Sequence, residues 1–157
     1  MAFDRKAIAL VIATVFVPVF EGTRQVFYYD PPGIPTVCYG HTGADIDKNK
    51  VYSLAECKAL LTKDMTHALR TVESCRPNLS AKTLAAWSSA VYNLGPTIVC
   101  NQTKSTAARL LAAGKLREAC LQLTRWNRAS VGGVSVVLPG LTKRRNAEMK
   151  LCLEGLE

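Results

Sequence analysis

Histidine is scarce in this chain, with two copies in 157 residues, and none of the six cysteines stands in C-x-x-C spacing. These shortages exclude the common zinc-site patterns, and neither a metal nor a cofactor is expected. Acidic residues are also few: twelve Asp and Glu stand against twenty Lys and Arg, for a formal charge of +8. So basic a chain favours polyanions, whether nucleic acid, anionic lipid or an acidic cell wall, and charge alone does not choose among them. The sequence contains no internal repeat and no low-complexity linker. Its length suits one domain able to bury a core. With 48% hydrophobic and 20% charged residues, the chain as a whole is not disordered.

No apolar run is long enough for a stable transmembrane anchor. The longest, Ala7 to Phe20, has 14 residues and no charge. As a helix it spans about 21 Å, short of the ~30 Å hydrocarbon core. Asp4, Arg5 and Lys6 close it on one side and Glu21 on the other. A signal-peptide core, a weak reversible anchor and a buried first helix all remain open. No A-x-A cleavage site lies between the run and Glu21. Pro18 weakens helical continuity within it.

The cysteines are Cys38, Cys57, Cys75, Cys100, Cys120 and Cys152. An even number scattered through the chain suits three disulfides in an oxidising compartment, with six buried thiols as the alternative. Fifteen pairings are possible, and spacing alone selects none.

From Val26 to Gly43 the chain is rich in aromatics, β-branched residues, Pro and Gly. Tyr28-Tyr29, a turn at Pro31-Pro32-Gly33 and Thr36 to Tyr39 predict a short β-hairpin. Ser53 and Glu56 form a capping box ahead of Leu61, Met65, Leu69 and Val72, predicting a helix of some twenty residues that ends before Arg76-Pro77. Further helices are expected from Ser80 to Gly95, from Ser105 to Ala113, around Leu116 to Trp126, and from Thr142 to Leu153. Ser130 to Gly140 reads as a loop or a short strand pair. The expected architecture is α+β: a small N-terminal β-lobe, a long connecting helix and a larger helical lobe. Residues 1–20 are expected to form an export or anchor segment, able to refold as the first helix, and residues 21–157 a single domain.

Two acidic residues stand apart. Glu21 ends the most apolar segment, where a carboxyl tends toward its protonated form, and Asp30 enters a polar turn, where it tends to stay ionised. One acid and one carboxylate facing a cleft is what cleavage of a glycosidic bond requires. By spacing alone, Glu21 equally marks where an apolar helix meets water, and Asp-Pro is an ordinary turn start.

Glu21, eight residues, Asp30, five residues and Thr36, set in FEG…YYD…TVCYGHTG, resemble the phage-type lysozyme signature. YNLGP, KST, LLAAGKLREA, RWNRA and LPGLTKRR..E follow in the family's order, so the resemblance covers roughly Phe20 to Gly155. It implies a lysozyme-like fold and hydrolysis of the β-1,4 bond between N-acetylmuramic acid and N-acetylglucosamine in peptidoglycan. Glu21 would be the general acid, Asp30 would position water or stabilise the developing cation, and Thr36 would help hold that water. An inverting course is implied, which places the carboxyls about 6.5–9.5 Å apart. Two departures stand out: the three-proline turn Pro31 to Pro35, which should stiffen the hairpin or shift the Asp30–Thr36 pairing, and the unusual VGGVSVV segment, Val131 to Val137.

The resemblance also implies supporting roles. His41 would pair with Asp64 on the long helix, the alternative being an exposed turn histidine. Arg145 would lie beside Glu21, the alternative being that Lys143-Arg144-Arg145 is a solvated helix start. No aromatics interleave with that triplet, and no nucleic-acid partner is expected. Asn93 and Ser105 would line the substrate cleft. Trp87 and Trp126 lie on apolar stripes and are expected in the core. The implied disulfides are Cys38–Cys57, Cys75–Cys100 and Cys120–Cys152.

Two enzymic readings and one without catalysis follow: a muramidase, a lytic transglycosylase on the same substrate, and a basic membrane-associated or nucleic-acid-binding protein. Retention of both Asp30 and Thr36 favours the first. A family subgroup carries signal-anchor-release segments, which implies transient inner-membrane association through Ala7 to Phe20 and then a monomer free in the host periplasm. Arg5 and Lys6 would stay cytoplasmic during tethering. The alternative is a buried first helix in an enzyme exported through a holin.

Overall fold

The computed structural model describes residues 4–31 and 33–157. Pro32, in the turn, and residues 1–3 of the N-terminal segment lie outside the described residues. The apolar run packs into the domain as two helical pieces, α1 (Arg5–Phe16) and α2 (Pro18–Glu21). The break falls where Pro18, with no amide donor, takes the first position of α2. Ala9, Ala13 and Val17 recur at helical spacing and are fully buried. These short side chains let α1 lie close against the later helices α3 (Leu54–Cys75) and α4 (Ala81–Leu94). Arg5 fixes the far end: its Nη1 donates to Glu73 at 2.5 Å and to the Leu79 carbonyl at 2.6 Å.

After Gly22 the chain enters β1 (Arg24–Tyr29), β2 (Pro35–Cys38) and β3 (His41–Thr42), a three-stranded antiparallel sheet in sequence order. Tyr28 pairs with Thr36 and Tyr29 with Pro35, and an irregularity lies between Arg24 and Tyr28. The strand pair is the expected hairpin, extended upstream to Arg24 and closed by a third short strand. Pro35 opens β2, a position that tolerates its missing donor.

α3 starts at the expected capping box: Ser53 Oγ accepts the Glu56 amide at 3.0 Å, and Glu56 Oε1 accepts the Ser53 amide at 3.1 Å. All four residues of the expected stripe, Leu61, Met65, Leu69 and Val72, are buried. α4 is the spine of the helical lobe, with every residue from Thr83 to Val91 buried, Trp87 among them. Trp126 packs half-buried against the same core. Ser80 sits at the N-cap of α4, but its hydroxyl donates to the Gly155 carbonyl at 2.6 Å and lies 3.0 Å from Thr83 Oγ1, tying this helix start to the chain's C-terminal end.

α5 (Thr97–Cys100), α6 (Thr106–Ala112), α7 (Leu116–Gln122) and a 3₁₀ turn (Leu123–Arg125) complete that lobe with α8 (Pro139–Glu154). α8 begins three residues before the expected Thr142, because Pro139 fits a helix's first turn. The expected loop or strand pair is a true strand pair that begins two residues upstream of Ser130: β4 (Arg128–Val131) and β5 (Val134–Val137), turned at Gly132-Gly133. The disulfides are Cys38–Cys57, Cys75–Cys100 and Cys120–Cys152, and no cysteine is free. They join β2 to α3, α3 to α5, and α7 to α8.

Candidate active site

The last residue of α2 is Glu21, so the apolar run aims its terminal carboxyl at the junction of the two lobes. A cleft of about 450 Å³ opens there, and Glu21, Asp30, Thr36 and Asn93 all line it. Tyr28, Pro31, Ile34, Gly40, Thr42 and Tyr92 supply the remaining walls. A cavity of about 540 Å³ shares Glu21 and Asn93 and runs toward Leu138 and Lys143. Another of about 390 Å³ shares Gly40, Thr42 and Tyr92 and runs along α3 past Asp64. The cleft thus adjoins both cavities, sharing Glu21 with one and Tyr92 with the other.

Asp30 is held by the turn it begins. Its Oδ1 accepts the Ile34 amide at 2.8 Å, its own amide donates to the Ile34 carbonyl at 3.0 Å, and its carbonyl accepts the Gly33 amide at 2.8 Å. The proline-rich turn thus leaves Thr36 paired to Tyr28 and fixes the direction of the Asp30 carboxylate. Thr36 is buried, and its Oγ1 donates to the Ile34 carbonyl at 2.9 Å. With its only proton committed, the hydroxyl faces any water as an acceptor.

Glu21 is gripped from two sides. Arg144 on α8 forms an ion pair with its Oε1. Gly40 lies against Oε2: a Cβ at this position would approach that oxygen to 3.0 Å, and the backbone here has φ +83°. Both features call for glycine. Beyond Gly40, the Tyr92 hydroxyl donates to the Tyr39 carbonyl, pinning the hairpin's end to α4. Burial, then the charge of Glu21, pushes the Tyr92 hydroxyl far above the ordinary phenol range, so it remains a neutral donor. Burial likewise raises Tyr28, with Arg24 opposing it and the Glu21 and Asp30 charges adding to it.

The expected contact of Arg145 with Glu21 is made by Arg144 instead. Successive helix residues point about 100° apart, so only one of the two arginines can face the end of α2. Arg145 turns into the core, where its Nε lies 2.7 Å from Glu148 Oε2. Burial lowers the Arg145 pKa and raises that of Glu148. The expectation for Ser105 is also corrected. It is buried at the N-cap of α6, where its Oγ accepts the Ala108 amide at 3.1 Å and donates its proton to the Ile98 carbonyl at 2.7 Å, so it faces the protein interior. His41 pairs as expected: Nδ1 is 2.5 Å from Asp64 and Nε2 is 2.9 Å from Asp45. Arg144, Glu148 and Ser89 went unnoticed as a unit in the sequence. The sequence signal is the RR..E spacing, which puts Arg144 and Glu148 one helical turn apart, and the phase of the arginine pair on α8 decides which one serves the site. Among the described residues no group of His, Cys, Asp and Glu is placed to hold a metal.

A small β-sheet and a helical lobe joined by a long helix, with a helix-end glutamate and a hairpin aspartate across the junction, define a lysozyme-like fold and site. The chain belongs to the phage lysozyme family, which it matches over residues 18–148. A SAR-endolysin of Bacteriophage PS119 is 42% identical over 136 residues, spanning 86% of this chain and 77% of that relative. The muramidase domain of SpmX from Asticaccaulis excentricus superposes with a TM-score of 0.79 at 26% identity, over 90% of this chain and 95% of that one. The active form of the P1 phage endolysin Lyz shares the fold with a TM-score of 0.79, over 100% of this chain and 98% of that one, at 21% identity. Family membership supports a lysozyme-class enzyme of phage type and does not favour the non-catalytic basic protein that charge alone allowed.

Proposed function

We propose that this enzyme is an endolysin that hydrolyses the β-1,4 bond between N-acetylmuramic acid and N-acetylglucosamine in peptidoglycan, lysing the host to release phage. The observation that carries the reading is one groove lined by Glu21, Asp30 and Thr36 together. Glu21 gives its proton to the leaving glycosidic oxygen. Water held by Asp30 and the Thr36 hydroxyl attacks the anomeric carbon and passes its proton to Asp30. The outcome is inversion. Asn93, at the seam of two cavities, touches the glycan. A net charge of +8 draws the enzyme, a monomer, to the anionic wall.

We further propose that Ala7 to Phe20 tethers the chain transiently to the inner membrane and is then released, delivering the enzyme to the periplasm. No described helix is long and apolar enough to cross a membrane. Support comes from α1 and α2 as packed: Val11, Val15 and Val19 remain 63%, 70% and 75% exposed. An ordinary surface helix carries polar residues there. An outward face of valines suits a segment that also meets lipid.

The test is turbidity loss of permeabilised Gram-negative cells, with analysis of the released fragments. Lysis with reducing-end muramic acid is expected. Anhydro-sugar ends would instead mark a lytic transglycosylase, and absence of lysis would contradict both. For release, fractionation of cells without a holin should find the protein first in the membrane and then in the periplasm. A wholly cytosolic protein would contradict it.

A further inference from the structure

We infer that Glu148 is a positioning residue for the catalytic acid, acting on Glu21 through Arg144. This rests on the muramidase reading and deepens it. A guanidinium carries five N–H donors in a rigid planar fork, so committing some of them directs the rest. Arg144 is committed on two of its three nitrogens. Its Nε donates to Glu148 Oε1 at 3.2 Å, and its Nη2 donates to the Ser89 carbonyl at 3.3 Å and Oγ at 3.4 Å. Nη1 is thereby turned to Glu21.

Glu148 is itself held from three directions. Its Oε1 accepts the Ser89 hydroxyl at 2.7 Å and Arg145 Nη2 at 2.8 Å, while Arg145 Nε stands against its Oε2. Ser89, Arg145 and Glu148 are fully buried and Arg144 nearly so. Carboxyl groups and guanidiniums alternate along this row, Glu21–Arg144–Glu148–Arg145. A buried ionic row of this kind adds little net stability over an apolar filling of the same volume. Its distinctive product here is direction: it anchors the guanidinium independently of Glu21. When Glu21 gives up its proton and its hydrogen bonds rearrange, Arg144 stays where the carboxylate must return.

The test is the steady-state kinetics of folded Glu148→Gln on soluble peptidoglycan fragments, with circular dichroism to verify the fold. Misdirection of the acid should lower kcat by about tenfold or more while leaving KM within about twofold. Combined with Arg144→Lys, Glu148→Gln should add almost nothing to the loss from Arg144→Lys alone, since both act through one guanidinium. If Glu148→Gln fails to fold, Ser89→Ala removes a shared partner more gently and should still lower kcat several-fold at constant KM. A folded Glu148→Gln with wild-type kcat, fully additive losses, or Ser89→Ala with unchanged kcat would each overturn the inference. A folded but inactive wild type would instead refute the muramidase reading itself.

Discussion

Arg144 on α8 is ion-paired with Glu21 at the end of α2, across 123 positions of sequence. The contact joins the second helix of the chain to the last, and the side chain of Arg144 is only 4% exposed. Replacing Arg144 by Gln therefore affects two quantities. Removing one partner of a buried ion pair costs about 3 kcal/mol of stability. Loss of orientation at Glu21 should lower lytic activity by roughly tenfold or more. Chemical denaturation reads the first effect and cell-wall turbidity the second. Unchanged activity would show that the pair does not orient the acid.

Gly40 should resist even its smallest substitution. Alanine there meets Glu21 Oε2 at 3.0 Å and must adopt φ +83°. The left-handed conformation alone costs about 1–2 kcal/mol. Gly40→Ala is expected to lower the melting temperature by roughly 3–6 °C and to reduce activity more than that loss explains, because it displaces the acid. By contrast Gly133→Ala, on a turn with nothing near its Cβ, should lose stability alone. Activity measured well below both melting temperatures separates the two.

His41 gives the fold a predictable pH dependence. Burial, its largest influence, pulls the imidazolium pKa down, but hydrogen bonds to Asp64 and Asp45 carry the net shift above the ordinary value. Only the imidazolium donates from both ring nitrogens at once. A folded pKa raised above the unfolded one means that the stabilisation is complete below about pH 6.5 and is lost as pH rises through the folded value. Melting temperature should thus fall as pH rises from about 6 toward 8, and Asp64→Asn should flatten that fall. An unaltered slope in Asp64→Asn would contradict the pairing.

The three disulfides should separate by location. Removing any of them costs about 2–5 kcal/mol. Cys38–Cys57 anchors β2, which carries Thr36, to α3. Cys120–Cys152 lies within the helical lobe, joining α7 to α8. The double Ser variant of the first pair should lose lytic activity at 25 °C, while that of the second should lose melting temperature and keep most of its rate. Equal activity losses from both would show that the hairpin needs no such anchor.

Features encoded locally were legible in the sequence. The Ser53/Glu56 capping box and the Leu61–Val72 stripe fix α3 because both are neighbours along one helix. Spacing alone left Glu21 and Asp30 with ordinary readings; the family resemblance singled out Glu21, Asp30 and Thr36, which line one cleft. What escaped depends on rotation and long-range packing. A run of Lys143-Arg144-Arg145 does not say which arginine faces α2, because one step along a helix turns the side chain by about 100°. Ser105 resembled a ligand contact in sequence, but its hydroxyl is spent capping α6. β3 is only two residues long, too short to carry a pattern. The role of Ser89 beside Glu148 joins residues 59 positions apart, which no local rule connects.

The central claim is that Glu21 supplies the proton that breaks the glycosidic bond. Turbidity loss of permeabilised Gram-negative cells, wild type beside Glu21→Gln at matched concentration of folded protein, tests it most directly. The substitution keeps the shape and removes the proton donor, so lysis should fall by at least about a hundredfold. Wild-type lysis by Glu21→Gln would contradict the account.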